Sequence, residues 1–200
     1  TGTKFQLSVE KSGKTIYKLD RQALQQNAGK SLADVLNEVP GVQTDGNFSA
    51  PGTNQSYYVR GGRNRQALVL IDGVPLNDPS SISAEYDLRY IPLSQIESIE
   101  VFKGGLSTLY GTSAAAGVIN IRLKSSGEDR FGGQADVSAG SFGTFSQNVH
   151  VNGNADKFSY AVSANNLISD GFSAAQDNDP GVDFDNDGIS RQNFLVRGGY

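Results

Sequence analysis

The chain has 200 residues, a formal charge of −4, 24 glycines, one histidine and no cysteine. Lack of cysteine excludes disulfides, thiol catalysis and sulfur-ligated zinc, and a lone histidine excludes a multi-histidine metal centre within these residues. With 21 acidic against 17 basic residues there is no nucleic-acid footprint.

No apolar run approaches the roughly 20 residues of a spanning helix. Residues 1–7 carry no apolar h-region of a signal peptide, so an exported protein is expected to be read here as a mature or trimmed segment. Residues 1–14 alternate weakly and form a separate N-terminal segment. Asp20 is placed to cap one short helix, and Ser31 with Asp34 offers a capping box for a second. Leu32, Val35, Leu36 and Val39 fall at i, i+3, i+4, i+7, a core-facing stripe that Pro40-Gly41 ends.

Three short runs rich in Val, Ile or Tyr read as strands, at 56–60, 67–71 and 96–102. Asp72-Gly73 after the second supplies a tight reversal. A helical turn is expected at 106–110, then a stretch of small residues, then a strand at 118–123. Two polar loops, 44–56 and 76–88, interrupt this α+β unit of residues 15–125. As bare sequence they are solvated connectors or ligand-presenting loops. On the second reading Asn47, Ser49, Thr53, Asn54, Gln55, Asn77, Asp78, Ser80, Ser81 and Tyr86 contact ligand.

From residue 130 to 200 the period changes to two. Val137, Val149, Phe158, Tyr160, Val162, Phe194 and Val196 alternate with polar residues, and residues 153–156 read as a tight turn. Such segments suit an outer-membrane barrel or an antiparallel sheet with one solvated face. His150 falls in this alternation as a wall or surface residue. Only about four strands fit, whereas membrane barrels start near 8, so the chain is expected to be the N-terminal portion of a longer protein.

Between the third and fourth strands, residues 169–190 form an acidic loop carrying Asp170, Asp177, Asp179, Asp183, Asp185 and Asp187. Carboxylates at this density repel unless a hard cation such as calcium gathers them. Asp183, Asp185, Asp187 and Gly188 copy the opening of an EF-hand, but Phe194 stands where its last glutamate belongs, so that motif is rejected. Calcium at Asp177, Asp179, Asp183, Asp185 and Asp187 is expected, against a plain solvated acidic loop.

Five segments in fixed order carry a resemblance: SLADVLNEVPGVQ, YYVRGG, ALVLIDGVPLND, IESIEVFKG and LYGTSAAAGVINI. Together they resemble the plug domain of TonB-dependent outer-membrane receptors over residues 15–124. The resemblance implies an α+β plug domain followed by the first antiparallel strands of a transmembrane β-barrel. It implies gated active transport across the outer membrane of a Gram-negative bacterium, with the plug facing the periplasm and no enzymatic activity. Expected partners are outer-membrane lipid, a surface lipoprotein and TonB, whose contact segment would lie upstream of Thr1. It also implies that Arg60 and a second cation lock the plug to barrel-wall glutamates. Lys103 stands at that second position, where lysine cannot make arginine's planar bidentate pair.

Within the family, the DNDG ending of the acidic loop and Tyr86-Asp87-Leu88 resemble the cobalamin receptors. The ligand they imply is cobalamin, with calcium-assisted binding. The alternatives are a siderophore or other metal-chelate receptor of the same family, and a soluble calcium-dependent binding domain.

Overall fold

The structure, a computed structural model, describes residues 15–46, 49, 52–76, 86–125, 130–173 and 185–200. The expected N-terminal segment therefore lies outside the described residues. The chain divides into two units, Thr1–Asn47 with Gln55–Leu123, and Phe48–Asn54 with Lys124–Tyr200.

The first unit is built on a five-stranded sheet. Strand β1 (Thr15–Leu19) leads to helix α1 (Arg21–Gln26) and helix α2 (Leu32–Asn37). Asp20 caps α1 by accepting from the Ala23 amide at 3.0 Å. In α2 the Ser31 hydroxyl accepts from the Asp34 amide at 3.1 Å, and Asp34 Oδ2 accepts from the Ser31 amide at 3.1 Å. Two orphan amides of the first turn are thus satisfied by two residues. A separate ribbon pairs β2 (Val42–Thr44) with β3 (Tyr57–Val59).

Strands β4 (Ala67–Ile71) and β5 (Val74–Leu76) form a hairpin about Asp72-Gly73, at φ 49° and 84°. That mirror-image turn matches strand twist, and Asp-Gly tolerates it. Strand β6 (Ile96–Lys103), helix α3 (Ser107–Tyr110) and strand β7 (Gly117–Leu123) complete the unit. The sheet order is β1-β6-β7-β4-β5, with β4 and β7 parallel.

Both faces of this sheet are covered, which is why ALVL reads as an unbroken apolar run and VINI is interrupted only by Asn120. Val35, Leu36 and Val39 pack with Val69, Ile99, Val101, Ile119 and Ile121 on one face. Leu68, Leu70, Phe102 and Val118 pack with Leu106 and Ala114 on the other.

The second unit contains β8 (Gly132–Ala139), β9 (Phe145–Ala155), β10 (Phe158–Ser169) and β11 (Ile189–Gly199). They form an antiparallel sheet in the order β11-β10-β9-β8. The turn expected at 153–156 falls two residues later: β9 continues through Ala155, and Asp156, at φ 54°, reverses the chain. Asp156 is one of the non-glycine types that tolerate this conformation. Gly153 lies within the strand at a place closed to a side chain, since a Cβ there would meet the Arg130 carbonyl at 2.5 Å and the Tyr160 hydroxyl at 2.7 Å.

The two faces of this sheet are opposite in character. Val137, Val149, Phe158, Val162, Phe194 and Val196 are exposed, while Ser163, Asn165 and Ser169 are buried. One register row on the polar face runs Asp136, Asn148, Asn165, Asn193. Asn165 Nδ2 donates to Asn148 Oδ1, and Asn193 Nδ2 donates to Asn165 Oδ1 at 3.2 Å. Next to it, His150 Nδ1 lies 2.7 Å from Ser163 Oγ.

Candidate ligand-binding and locking residues

Arg60 follows β3 at φ 50°, its amide donating to the Gly41 carbonyl at 2.8 Å. That bend turns the guanidinium toward Gly104, where a Cβ would sit 3.7 Å from Arg60 Nη1. Arg60 and Lys103 thereby line one cleft of about 250 Å³ with Thr15, Gly104 and Leu106. Lys103 Nζ lies 5.4 Å from the Tyr17 ring centroid, a cation–π contact. Two cations on one small cleft suit a carboxylate side chain. The space falls below the roughly 300 Å³ at which ligand pockets start.

On β6, Glu97 is held by Arg21 at 2.6 Å, and Glu100 accepts from Asn120 Nδ2 at 3.2 Å. Asn120 stands directly opposite Glu100 in the β6–β7 register, and Arg21 is the first residue of α1, which follows β1.

In the first polar loop, Gln55 Nε2 donates to the Gly46 carbonyl at 3.3 Å, and the Asp45 amide donates to the Ser56 carbonyl at 2.9 Å. Ser49 is half-buried, while Thr53 and Asn54 are exposed. Gly52 approaches β11, with a built Cβ 3.9 Å from Ile189 Cβ and 4.0 Å from the Gly188 carbonyl. Asn47, Asn77, Asp78, Ser80 and Ser81 lie outside the described residues.

Tyr86 is half-buried and packs on the main core. Burial, then the charge of Asp87, then Tyr90 raise its hydroxyl pKa above the ordinary tyrosine value. Asp87 caps the following turn through the Arg89 amide at 3.0 Å and takes the Arg89 guanidinium as a fork, Nε at 2.9 Å to each oxygen. The hydrogen bonds to Asp87 lead in raising the Arg89 pKa. Sequence reasoning passed over Arg89, although its spacing from Asp87 was the available signal.

Of the expected calcium ligands, Asp177, Asp179 and Asp183 lie outside the described residues. Asp185 and Asp187 are exposed, and among the described residues no three acidic or histidine side chains gather around a metal position. Two carboxylates do not supply the about six to eight oxygens calcium takes. The other three expected ligands would have to supply the rest of such a set.

An α+β unit followed in sequence by an antiparallel sheet with an apolar exposed face is the architecture of a plug domain and wall strands of an outer-membrane protein. Residues 8–118 match the family model "TonB-dependent Receptor Plug Domain", and the chain belongs to that family. It is 37% identical over 123 residues, 62% of this chain, to the vitamin B12 transporter BtuB of Vibrio vulnificus. It is 31% identical over 204 residues, covering all of this chain, to BtuB of Photobacterium profundum. The chain spans 20% and 32% of those two relatives.

Among solved structures, the siderophore receptor PirA of Acinetobacter baumannii aligns at TM-score 0.61 and 26% identity, over 78% of this chain and 24% of PirA. The ferric enterobactin receptor PfeA of Pseudomonas aeruginosa, a Q482A mutant with enterobactin, aligns at 0.62 and 26%, over 78% of this chain and 25% of PfeA. Pseudomonas aeruginosa FpvA, bound to a pyoverdine, aligns at 0.69 over 84% of this chain and 22% of its own length; its 20% identity bears on the fold alone. Members of this family are transport proteins, not enzymes, and the chain is placed in the Gram-negative outer membrane with a periplasm-facing plug.

Proposed function

We propose that this chain is the plug and first barrel strands of a receptor for TonB-dependent import of a metal chelate, with a ferric siderophore as the first ligand reading. The observation that carries the transport reading is a family-matched plug joined in sequence to strands with an apolar exposed face and a buried polar face. Siderophore import is supported by the solved receptors PirA and PfeA, each 26% identical. Cobalamin is the second reading, supported by the higher identities, 37% and 31%, to the BtuB transporters.

In this reading Arg60 and Lys103 take wall carboxylates, and Ser49, Thr53, Asn54 and Gln55 offer polar contacts to ligand. TonB then draws on the plug to open a path. Calcium-assisted binding belongs to the cobalamin reading and rests on the carboxylate density of residues 170–187. Equilibrium binding to the intact receptor, with ferric siderophores and cyanocobalamin in competition, tests the assignment. Saturable binding of a ferric siderophore that cyanocobalamin does not displace supports the first reading. Binding of cyanocobalamin alone, weakened by a calcium chelator, replaces it with the second. Failure of both ligands to bind overturns metal-chelate import.

A further inference from the structure

The turn between β8 and β9 holds a bulky residue where the backbone disfavours one. Phe142 and Gly143 stand at φ 57° and 60°, and the Thr144 amide closes the turn on the Ser141 carbonyl at 3.1 Å. Both central positions of this mirror-image turn favour Asn, Asp or Gly. The β4–β5 turn obeys that preference with Asp72-Gly73. Phenylalanine does not, and a bulky residue with positive φ is a genuine outlier.

The surroundings hold Phe142 in that conformation. Its carbonyl accepts from the Asp170 amide at 2.9 Å and from Ser169 Oγ at 3.2 Å, so the end of β10 clamps the turn. Gly143 and Gly171 are required for the approach, because a Cβ at Gly143 would overlap the Asp170 carboxylate and one at Gly171 the Asp187 carbonyl. Phe142 as a residue is 56% exposed, and its ring lies against Phe172 with centroids 5.0 Å apart at 47°. Strain of this kind persists where the surroundings over-determine it, and it collects at ligand clamps.

The pair also has a direction. It lies at the end of the sheet carrying the long acidic loop, which in outer-membrane barrels is the extracellular end. Gly188, at the root of that loop, adjoins Asp170 on one side and Gly52 of the first polar loop on the other. The aromatic pair is thus continuous with a loop already nominated for ligand contact.

We propose that Phe142 and Phe172 form a preset aromatic subsite for the flat, conjugated face of the metal chelate, a reading that rests on the proposed import function. An exposed aromatic pair offers stacking area that is already ordered, and ordering before binding removes part of its cost.

The test uses the intact receptor with a ferric tris-catecholate and with cyanocobalamin as probes. Phe142→Asn relieves the backbone and deletes the ring, so it should raise Tm while weakening binding of the recognised probe at least tenfold. Phe172→Leu, which leaves the turn conformation alone, should weaken binding in the same direction. Unchanged affinity in Phe142→Asn overturns the subsite. A lower Tm accompanying the binding loss also overturns it, assigning the ring a structural part. If the unmodified receptor binds neither probe, the subsite for a conjugated chelate is overturned, whereas the import function falls only if the wider set of ferric siderophores also fails to bind.

Discussion

Val162 and Ser163 are neighbours on β10 with inverted exposure: Val162 is 44% exposed, whereas Ser163 is 3% exposed and bonded to His150. A sheet with one solvated face would expose the serine. The inversion is that of a barrel wall, with Phe158, Tyr160 and Val162 toward lipid. Arginine at Tyr160 in the intact receptor should cost about 2–4 kcal/mol near the bilayer midplane. Tyr160→Leu should be nearly neutral. Urea titration of the receptor in lipid vesicles reads both, and equal costs would place this face in water.

Asn165 is the central rung of the amide row on the polar face. It is 6% exposed and bonded to both Asn148 and Asn193. The two-residue reversal at 156–157 fixes the register of β9 and β10, but a loop as long as 170–188 fixes none between β10 and β11. Asn165–Asn193 on one face and Phe158–Tyr200, with centroids 5.0 Å apart, on the other are the side-chain pairs that set it. Asn165→Val should cost about 1–3 kcal/mol, since it removes both hydrogen bonds of a buried amide. The same titration measures it, and a change within error would remove the row from the account.

The glycines of YYVRGG and AAAG meet in the plug. A Cβ on Gly117 would stand 2.6 Å from the Phe102 carbonyl and 2.8 Å from Val59 Cγ1, and one on Gly62 would overlap Ala116 Cβ. Gly117→Ala should destabilise by about 1–3 kcal/mol through overpacking. Differential scanning calorimetry of the purified chain against the variant gives the shift, and an unchanged transition would contradict this packing.

These two motifs were legible as strand and turn signals, as were Asp20, the Ser31–Asp34 box and the Asp72-Gly73 hairpin, because each acts within a few residues. What stayed hidden acts across strands. Asn148, Asn165 and Asn193 lie on three strands whose alignment no local pattern reveals, and Asn165 read only as one polar residue in an alternation. Phe142 was hidden for the opposite reason, since turn chemistry favours Asn, Asp or Gly at its position. Arg60 and Lys103 were paired through family resemblance; the structure adds the shared cleft that brings them near one another.

Tyr86 provides a pH-dependent check on the second polar loop. Burial first, then Asp87 and Tyr90, raise its folded-state pKa. The native state therefore holds the phenol proton longer than the unfolded chain does. This contribution is full below the unfolded value of about 10 and is lost as pH rises through it toward the folded value. Tyr86→Phe should flatten that alkaline loss, read by chemical denaturation at stepped alkaline pH. An identical alkaline slope in the variant would show that Tyr86 does not titrate from a buried position.

Energy-dependent accumulation of a labelled metal chelate tests the central claim most directly. It is measured in cells bearing the intact receptor in place of their own, with and without TonB. The account predicts binding at the surface in both strains, with uptake only where TonB is present and the inner membrane is energised. Equal uptake in the strain lacking TonB would contradict it.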